Sequence, residues 1–292
     1  MSKRVVAIGV FDGVHRGHQE ILNRAKEIAD GGSVIALTFD PHPATVFAPE
    51  RAPKLLVTLA DRVVLLKIHN ADQVAVIKFD KKFAAMSAED FVDNILIKQL
   101  EATDIVVGEN FTYGHKASGN IDSLRASSMS KNFDVHVLSL SQDENQNISS
   151  SRIRTLVTQG HVESARTLLT RPHRLDGVVI HGEARGREIG YPTANLGNID
   201  GQCIPADGIY AVKVLVQNET HNGMLYIGNR PTVDGTKKVI EVNIFDYNKE
   251  IYSEKIQVNL VQFIRGDQHF DSLDELKHAI AKDEIASRKI LL

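Results

Sequence analysis

At 292 residues, with 42% hydrophobic and 24% charged side chains, the chain has the length for a sizeable core and two domains and the composition of a water-soluble globular protein. A net charge of −3 leaves no electrostatic footprint for general nucleic-acid binding, and the single cysteine, Cys203, excludes an internal disulfide framework and fits a reducing compartment. No apolar run reaches membrane-spanning length and the first residues enter a strand without a signal-peptide pattern, so the expected location is the cytoplasm.

Residues 3–32, KRVVAIGVFDGVHRGHQEILNRAKEIADGG, carry the densest signal. Residues 5–10 are apolar and β-branched, as a buried strand requires. Phe11, Asp12 and Gly13 break the run. From His18 onward Ile21, Leu22, Ala25, Ile28 and Ala29 recur at helical spacing, until Gly31 and Gly32 end the helix. His15 and His18 stand where that helix begins, and Gly13 and Gly17 leave room for a ligand against backbone. Free N–H groups and the positive helix end favour an anion there, by roughly 0.3–1 kcal/mol per exposed charge. Two imidazoles suit a phosphate whose charge grows during reaction. A plain surface turn before an amphipathic helix, and an H-x-x-H metal pair lacking a third ligand at a supporting spacing, are the other readings of these residues.

Residues 33–39 form the next strand, followed by Asp40-Pro41-His42-Pro43. Strand–helix–strand at this spacing indicates a right-handed βαβ unit in a parallel sheet, whose ligands bind beyond the carboxyl ends of the strands. Residues 55–69, with Arg62, Leu65, Leu66 and Ile68, predict a helix whose basic residues face solvent. A strand at 72–79 precedes a helix at 87–99, capped by Ser87 and burying Phe91, Ile95, Leu96 and Leu100. A strand at 104–107 continues the α/β alternation. The loop GENFTYGHKASGN, residues 108–120, reads as ligand-facing or as a solvated loop over packed aromatics. A strand at 135–140 and a polar loop, SQDENQN, lead to ISSSRIR at 148–154 and a helical stretch. Serines at a helix entry with two guanidinium forks make a phosphate clamp, or an N-cap with solvated arginines.

Composition changes near Thr170, which divides the chain into residues 1–170 and 171–292. Short strands at 177–181, 209–217, 224–227, 239–247 and 255–264 predict an antiparallel barrel or sandwich, closed by a helix over 272–280. Within it, HGEARGREIGYPTANL at 181–196 combines Gly182, Gly186 and Gly190 with Thr193 and Asn195, oxygen ligands suited to Mg²⁺ with phosphate. A turn-rich strand connection is the plain alternative.

GVFDGVHRGH strongly resembles the H-x-G-H signature of the nucleotidyltransferase superfamily, in the form G-x-F-D-G-x-H-x-G-H. That form looks like the adenylyltransferase half of bacterial bifunctional riboflavin kinase/FAD synthetases. ISSSRIR matches the family's second signature, I-S-S-T-x-I-R, with Ser151 for threonine; TFDPHP and the 108–120 loop also match, the latter with Asn110 where the family is acidic. The riboflavin kinase signature G-x-P-T-A-N stands as Gly190, Pro192, Thr193, Ala194, Asn195. The resemblance covers nearly the whole chain. It implies a Rossmann-like nucleotidyltransferase domain with a parallel sheet, then a riboflavin kinase-like antiparallel β-barrel with a terminal helix. It implies FAD biosynthesis, with riboflavin phosphorylated to FMN and FMN adenylylated to FAD, ATP as co-substrate and Mg²⁺ as metal.

The resemblance also implies roles. His15, His18 and Arg154 would stabilise the adenylyl-transfer transition state. Gly9, Phe11, Asp12, Gly13, Gly17, Asp40, His42, Ser150, Ser151 and Arg152 would line the ATP phosphates, and Asn110, Phe111 and Tyr113 the flavin, with the two aromatics flanking a ring. In the second half Gly182, Gly186 and Gly190 would take phosphate, Thr193 and Asn195 the metal, and Glu241, in IEVNIFDY, would be the base. Without the resemblance, Glu241 is an outward charge on a strand. Departures cluster in this half. Val242 and Asn243 replace Thr-His of E-T-H-I-F-D-F, and Tyr226 replaces the asparagine of N-I-G-x-R-P-T. Ser253-Glu254 replaces Gly-Lys of L-Y-G-K, and R-x-E-x-K-F appears as Arg265, Asp267, His269, Phe270. A monofunctional FAD synthetase with a weak or inactive kinase-like domain, and a non-catalytic flavin- or nucleotide-binding regulator, are the alternatives on the same fold. The expected partners are small molecules (riboflavin, FMN and ATP), without nucleic acid or membrane, on a monomer or weak homo-oligomer.

Overall fold

The computed structural model describes residues 2–139, 141–182, 186, 189–232 and 235–292. Leu140, at the end of one expected strand, and residues 183–185, 187 and 188 of the glycine-rich loop lie outside the described residues. The chain forms two compact units, Met1–Ser150 and Ser151–Leu292.

In the first unit β1 (Arg4–Ile8), α1 (Arg16–Ala29), β2 (Ser33–Asp40), α2 (Pro43–Phe47), α3 (Leu59–Ile68) and β3 (Gln73–Lys78) come first. α4 (Lys81–Ala84) follows, then α5 (Ala88–Asp90), which runs on into a π-helical stretch, Phe91–Gln99. β4 (Asp104–Gly108), α6 (Ile121–Lys131) and β5 (Asp134–Leu138) complete the sheet. Among the described residues the five strands pair in parallel in the order β3-β2-β1-β4-β5. β1 shows why both faces are covered: Val6 and Ile8 enter one core, Val5 and Ala7 the other, as a period of two demands. The strand order reverses between β1 and β4, so a crevice opens beyond their carboxyl ends.

Two local expectations change. Arg62 of α3 points inward rather than to solvent. It is 2% exposed, whereas Val64 and Ile68 are exposed. Its guanidinium donates to the Val10 carbonyl (2.9 Å) and to Asp40 Oδ1 (3.5 Å), acceptors at the ends of β1 and β2 that need a donor inside the fold. Burial lowers its pKa, and the charges of Asp12 and Asp40 oppose that. SQDENQN is a hairpin, β6 (Gln142–Asp143) and β7 (Gln146–Asn147), rather than a loop. It turns at Glu144 and Asn145 with φ of 49° and 62°, the doubly positive geometry of a type I′ turn made here without glycine.

The second unit contains α7 (Ser150–Thr158), which begins on the last residue of the first unit, and α8 (Val162–Leu169). β8 (His173–Ile180), β9 (Ala194–Gly197), β10 (Gly208–Val216), β11 (Glu219–Thr232), β12 (Gly235–Ile244), β13 (Lys255–Arg265) and α9 (Leu273–Leu291) follow. The strands close into a barrel, β10-β11-β12-β9-β8-β13, which settles barrel over sandwich. Leu225, Ile227, Ile240 and Val242 fill its interior beside Val162 of α8. Met224 and Phe245 face outward with Leu291 of α9. α9 starts on the expected Ser272 cap and runs past the expected end at 280. Asp283, on this extension, is buried and takes a two-pronged ion pair from Arg265 at 2.7 and 2.9 Å.

Candidate functional site

The turn after β1 is built from unusual backbone. Phe11, Gly13 and Val14 have φ of 53°, 84° and 39°, and such strain in non-glycine residues costs of order 1–3 kcal/mol each unless the surroundings impose it. The surroundings do so through named bonds. The Val10 carbonyl accepts from Thr38 Oγ1 (2.9 Å) as well as from Arg62. The Asp12 carboxylate accepts from the N–H groups of Leu56 (3.0 Å) and Val57 (3.3 Å). Oγ of Ser150, the last residue of the same unit, donates to the Asp12 carbonyl at 2.8 Å across 138 residues.

The result is a pair of imidazoles at the start of α1. His15 and His18 stack with centroids 3.6 Å apart and an interplanar angle of 18°. The Phe11 ring meets His18 edge-on at 5.2 Å. A Cβ on Gly17 would stand 3.2 Å from Ser141 Oγ and 3.5 Å from the His15 ring, so glycine lets the β6–β7 hairpin and the imidazole close on α1. Arg16 reinforces that closure through Gln142 O (3.0 Å) and Asp143 Oδ1 (3.2 Å). Among the described residues, Nδ1 of His18 is buried without a hydrogen-bond partner. Burial, with the neighbouring His15 as a second cause, holds the His18 pKa well below its ordinary value. The arrangement keeps the His18 imidazole uncharged, stacked on His15 at a helix end that favours an anion.

This has a consequence for stability. The folded protein keeps His18 neutral, whereas the unfolded chain protonates it near its ordinary pKa of about 6.5. Below that pH the unfolded state binds more protons, so stability present above it is lost as pH falls. The melting temperature should drop between about pH 7.5 and about pH 5.5, and drop less in His18→Gln. Equal pH slopes in the two proteins would refute the assignment of this proton to His18.

Other expected nucleotide and flavin contacts divide. Asp40 remains partly exposed beside Arg62. His42 caps α2 by accepting the Ala44 N–H on Nδ1 (3.1 Å), which puts its proton on Nε2 as a donor. Asn110 is exposed at the carboxyl end of β4, with its Oδ1 against Gly108. Phe11 and Asp12 are turned inward instead. Phe11 is fully buried under Gly9 and His18, and the Asp12 carboxylate accepts from backbone, so both support the turn. Phe111 and Tyr113 do not flank an open slot. They stack on each other with centroids 5.5 Å apart, whereas a ring between them needs two contact distances of about 3.5 Å each. Tyr113 belongs to the core, packed on Phe91 and bonded through its hydroxyl to Ser123. Ser151, Arg152 and Arg154 follow on α7, in the second unit.

The second constellation lies on the outer face of the barrel. β9 sits between β8 and β12 and sets Asn195 directly opposite Glu241. Glu241 is 9% exposed, so on this outer face it is a buried carboxylate and not a solvated charge. A Cβ on Gly182 would stand 2.2 Å from Asn195 Nδ2, and one on Gly186 would stand 3.3 Å from Thr193 Oγ1 and 2.3 Å from the Tyr191 carbonyl. The loop glycines therefore lie flush against Thr193 and Asn195, a cradle that any side chain would fill. Gly190 adopts φ of 89° in open space. A cleft lined by Arg265, Phe270, His278, Lys282 and Asp283 opens between the end of β13 and α9.

The departures from the family pattern have partners. Asn243 Nδ2 donates to the Pro192 carbonyl at 2.7 Å and so holds the segment carrying Thr193. Tyr226 donates its hydroxyl to Asp267 Oδ2 at 3.2 Å. Ser253 keeps φ of 66° where the family has glycine, which costs roughly 1 kcal/mol. Sequence reasoning missed Arg62 and Asn243; no local signal marks either, since their partners lie 52 and 51 residues away.

Comparison with known proteins finds matches to both halves of the chain. A family model described as FAD synthetase matches residues 1–152, and one described as riboflavin kinase matches residues 169–291. A protein of Bacillus subtilis (strain 168) named bifunctional riboflavin kinase/FMN adenylyltransferase is 38% identical over 289 residues, covering 97% of this chain and 91% of its own length. The protein of the same name from Escherichia coli (strain K12) is 36% identical over 288 residues, covering 98% and 92%. A crystal structure from Streptococcus pneumoniae, described as a macrolide-efflux protein, superposes with a TM-score of 0.89 at 36% identity, over 98% of this chain and 94% of its own. Among the described residues of this chain no helix is long and apolar enough to cross a membrane. The chain belongs to the bifunctional riboflavin kinase/FMN adenylyltransferase family.

Proposed function

We propose that this chain makes FAD in two ATP-dependent steps, phosphorylating riboflavin to FMN and adenylylating FMN to FAD, with a separate site for each. One observation carries the reading: each signature gathers its own constellation, the stacked His15 and His18 after β1 and the Asn195–Glu241 pair on the barrel.

Both reactions displace a group at phosphorus, where positioning and charge stabilisation supply most of the catalysis. In the adenylyl transfer an FMN phosphate oxygen bonds to the α-phosphorus of ATP and the bond to pyrophosphate breaks. The nucleophile is already an anion, so no strong base is needed. His15, His18 and Arg154 offset the charge that grows on the leaving pyrophosphate, and Ser151 and Arg152 add donors at the start of α7. Gly13 and Gly17 let the phosphates approach backbone; Asp40, His42 and Asn110 border the nucleotide and flavin. In the kinase reaction a ribityl hydroxyl bonds to the γ-phosphorus and ADP leaves, with Glu241 taking the hydroxyl proton. The glycine-lined oxygens of Thr193 and Asn195 would hold Mg²⁺, whose charge would offset that of the transferring phosphoryl group. We divide the chemistry at residues 1–170 and 171–292, and place it in the cytoplasm on a monomer or weak homo-oligomer.

The deciding experiment incubates the purified full chain with MgATP and riboflavin, or with MgATP and FMN, and resolves the flavins by chromatography. FMN from riboflavin and FAD from FMN are the expected products. FAD from FMN alone would leave a monofunctional FAD synthetase. Flavin binding without either product would leave a regulator.

A further inference from the structure

We propose that Tyr226 is the side chain that positions the flavin acceptor against Glu241, with Asp267 clamping its phenol; this rests on the kinase reading above. The barrel register sets Asn195, Glu241, Tyr226, Ile209 and Arg265 in one row across neighbouring strands. Leu225, Ile227, Ile240 and Val242 fill the interior, so alternation puts Tyr226 and Glu241 together on the outer face. Directly opposed residues in an antiparallel pair have Cβ atoms about 4.5–5.5 Å apart. An acceptor hydroxyl must come within about 3 Å of its base, so the remainder of the acceptor falls within reach of the Tyr226 ring.

The ring is held in one pose. It lies against Gly228, where a Cβ would stand 2.0 Å from the phenol oxygen and 2.3 Å from Cζ, so only glycine at 228 admits it. Its hydroxyl reaches Asp267 Oδ2 at 3.2 Å, across 41 residues. The side chain is only partly buried, and a flat aromatic ring held below and at its tip is a platform for a planar heteroaromatic ligand. Tyr226 and Asp267 are both departures from the family pattern, and they meet in one hydrogen bond. These two positions thus act as a unit that gives this chain its own contact to the acceptor.

The test uses the full chain and its Tyr226→Phe, Tyr226→Ala and Asp267→Asn variants, with riboflavin as probe. Steady-state kinetics of FMN formation and quenching of riboflavin fluorescence are measured, and thermal midpoints verify folding. Tyr226→Ala should raise the riboflavin KM about tenfold, the scale of one lost stacking contact, and reduce the quenching. Tyr226→Phe and Asp267→Asn should raise it about threefold, as the ring loses its carboxylate clamp, and keep the quenching. The ATP KM of the kinase reaction should not move in any variant. A riboflavin KM and quenching unchanged in Tyr226→Ala, or an ATP KM that rises in step with the riboflavin KM, would overturn the assignment while leaving the kinase reading intact. A wild type that makes no FMN would overturn both.

Discussion

Glu241→Gln should abolish riboflavin phosphorylation and leave FMN adenylylation at the wild-type rate. Glutamine keeps the volume and hydrogen-bonding reach of the side chain, so the packing of a residue only 9% exposed on β12 is preserved. What it removes is the ability to take a proton. A positioned general base is worth about 10²–10⁴ in rate, so FMN formation should fall by at least two orders of magnitude, with a modest change in the ATP requirement. Adenylylation needs no base, since its nucleophile is an FMN phosphate, and we assign it to the constellation after β1. The measurement is FMN production over hours at high enzyme concentration, with FAD production from FMN as the internal control. Kinase turnover within a few fold of wild type would remove Glu241 from the mechanism. Loss of both activities together would indicate a damaged fold.

The reciprocal result is expected from the first site. His15→Ala and His18→Ala should each lower FAD formation by at least tenfold, which is about 1.4 kcal/mol of transition-state stabilisation, while riboflavin phosphorylation persists. The two imidazoles stack at 3.6 Å, so removing either also changes the surroundings of the other. Their double variant should therefore lose less than the product of the single losses. The turn itself should survive, because its order comes from Arg62, Thr38, Ser150 and the backbone partners of Asp12, none of which involves an imidazole. Near wild-type adenylylation in either single variant would exclude the pair from the chemistry.

Much of this was legible locally. The apolar run after residue 4, the helical spacing that follows it and the Ser87 and Ser272 caps all express periods or hydrogen bonds spanning a few residues, and each appears where the sequence puts it. Barrel closure was not, because it depends on β9, a short segment without a β-branched run that becomes a strand only by pairing with β8 and β12. The role of the aromatics at 111 and 113 was not either: spacing puts two rings on one loop, and only packing on Phe91 decides that Tyr113 belongs to the core.

By itself, then, the sequence determined the alternation of elements, the two-part organisation and the residue types that gather at each site, since those follow from local periodicity and from short motifs. Tertiary structure alone decided what those residues bond to. Asp12 is drawn onto the amides of Leu56 and Val57, Arg62 onto Val10 and Asp40, and Tyr226 onto Asp267. A buried polar group must find a partner wherever the fold brings one, and partners 22 to 52 residues away leave no mark on the spacing of their neighbours.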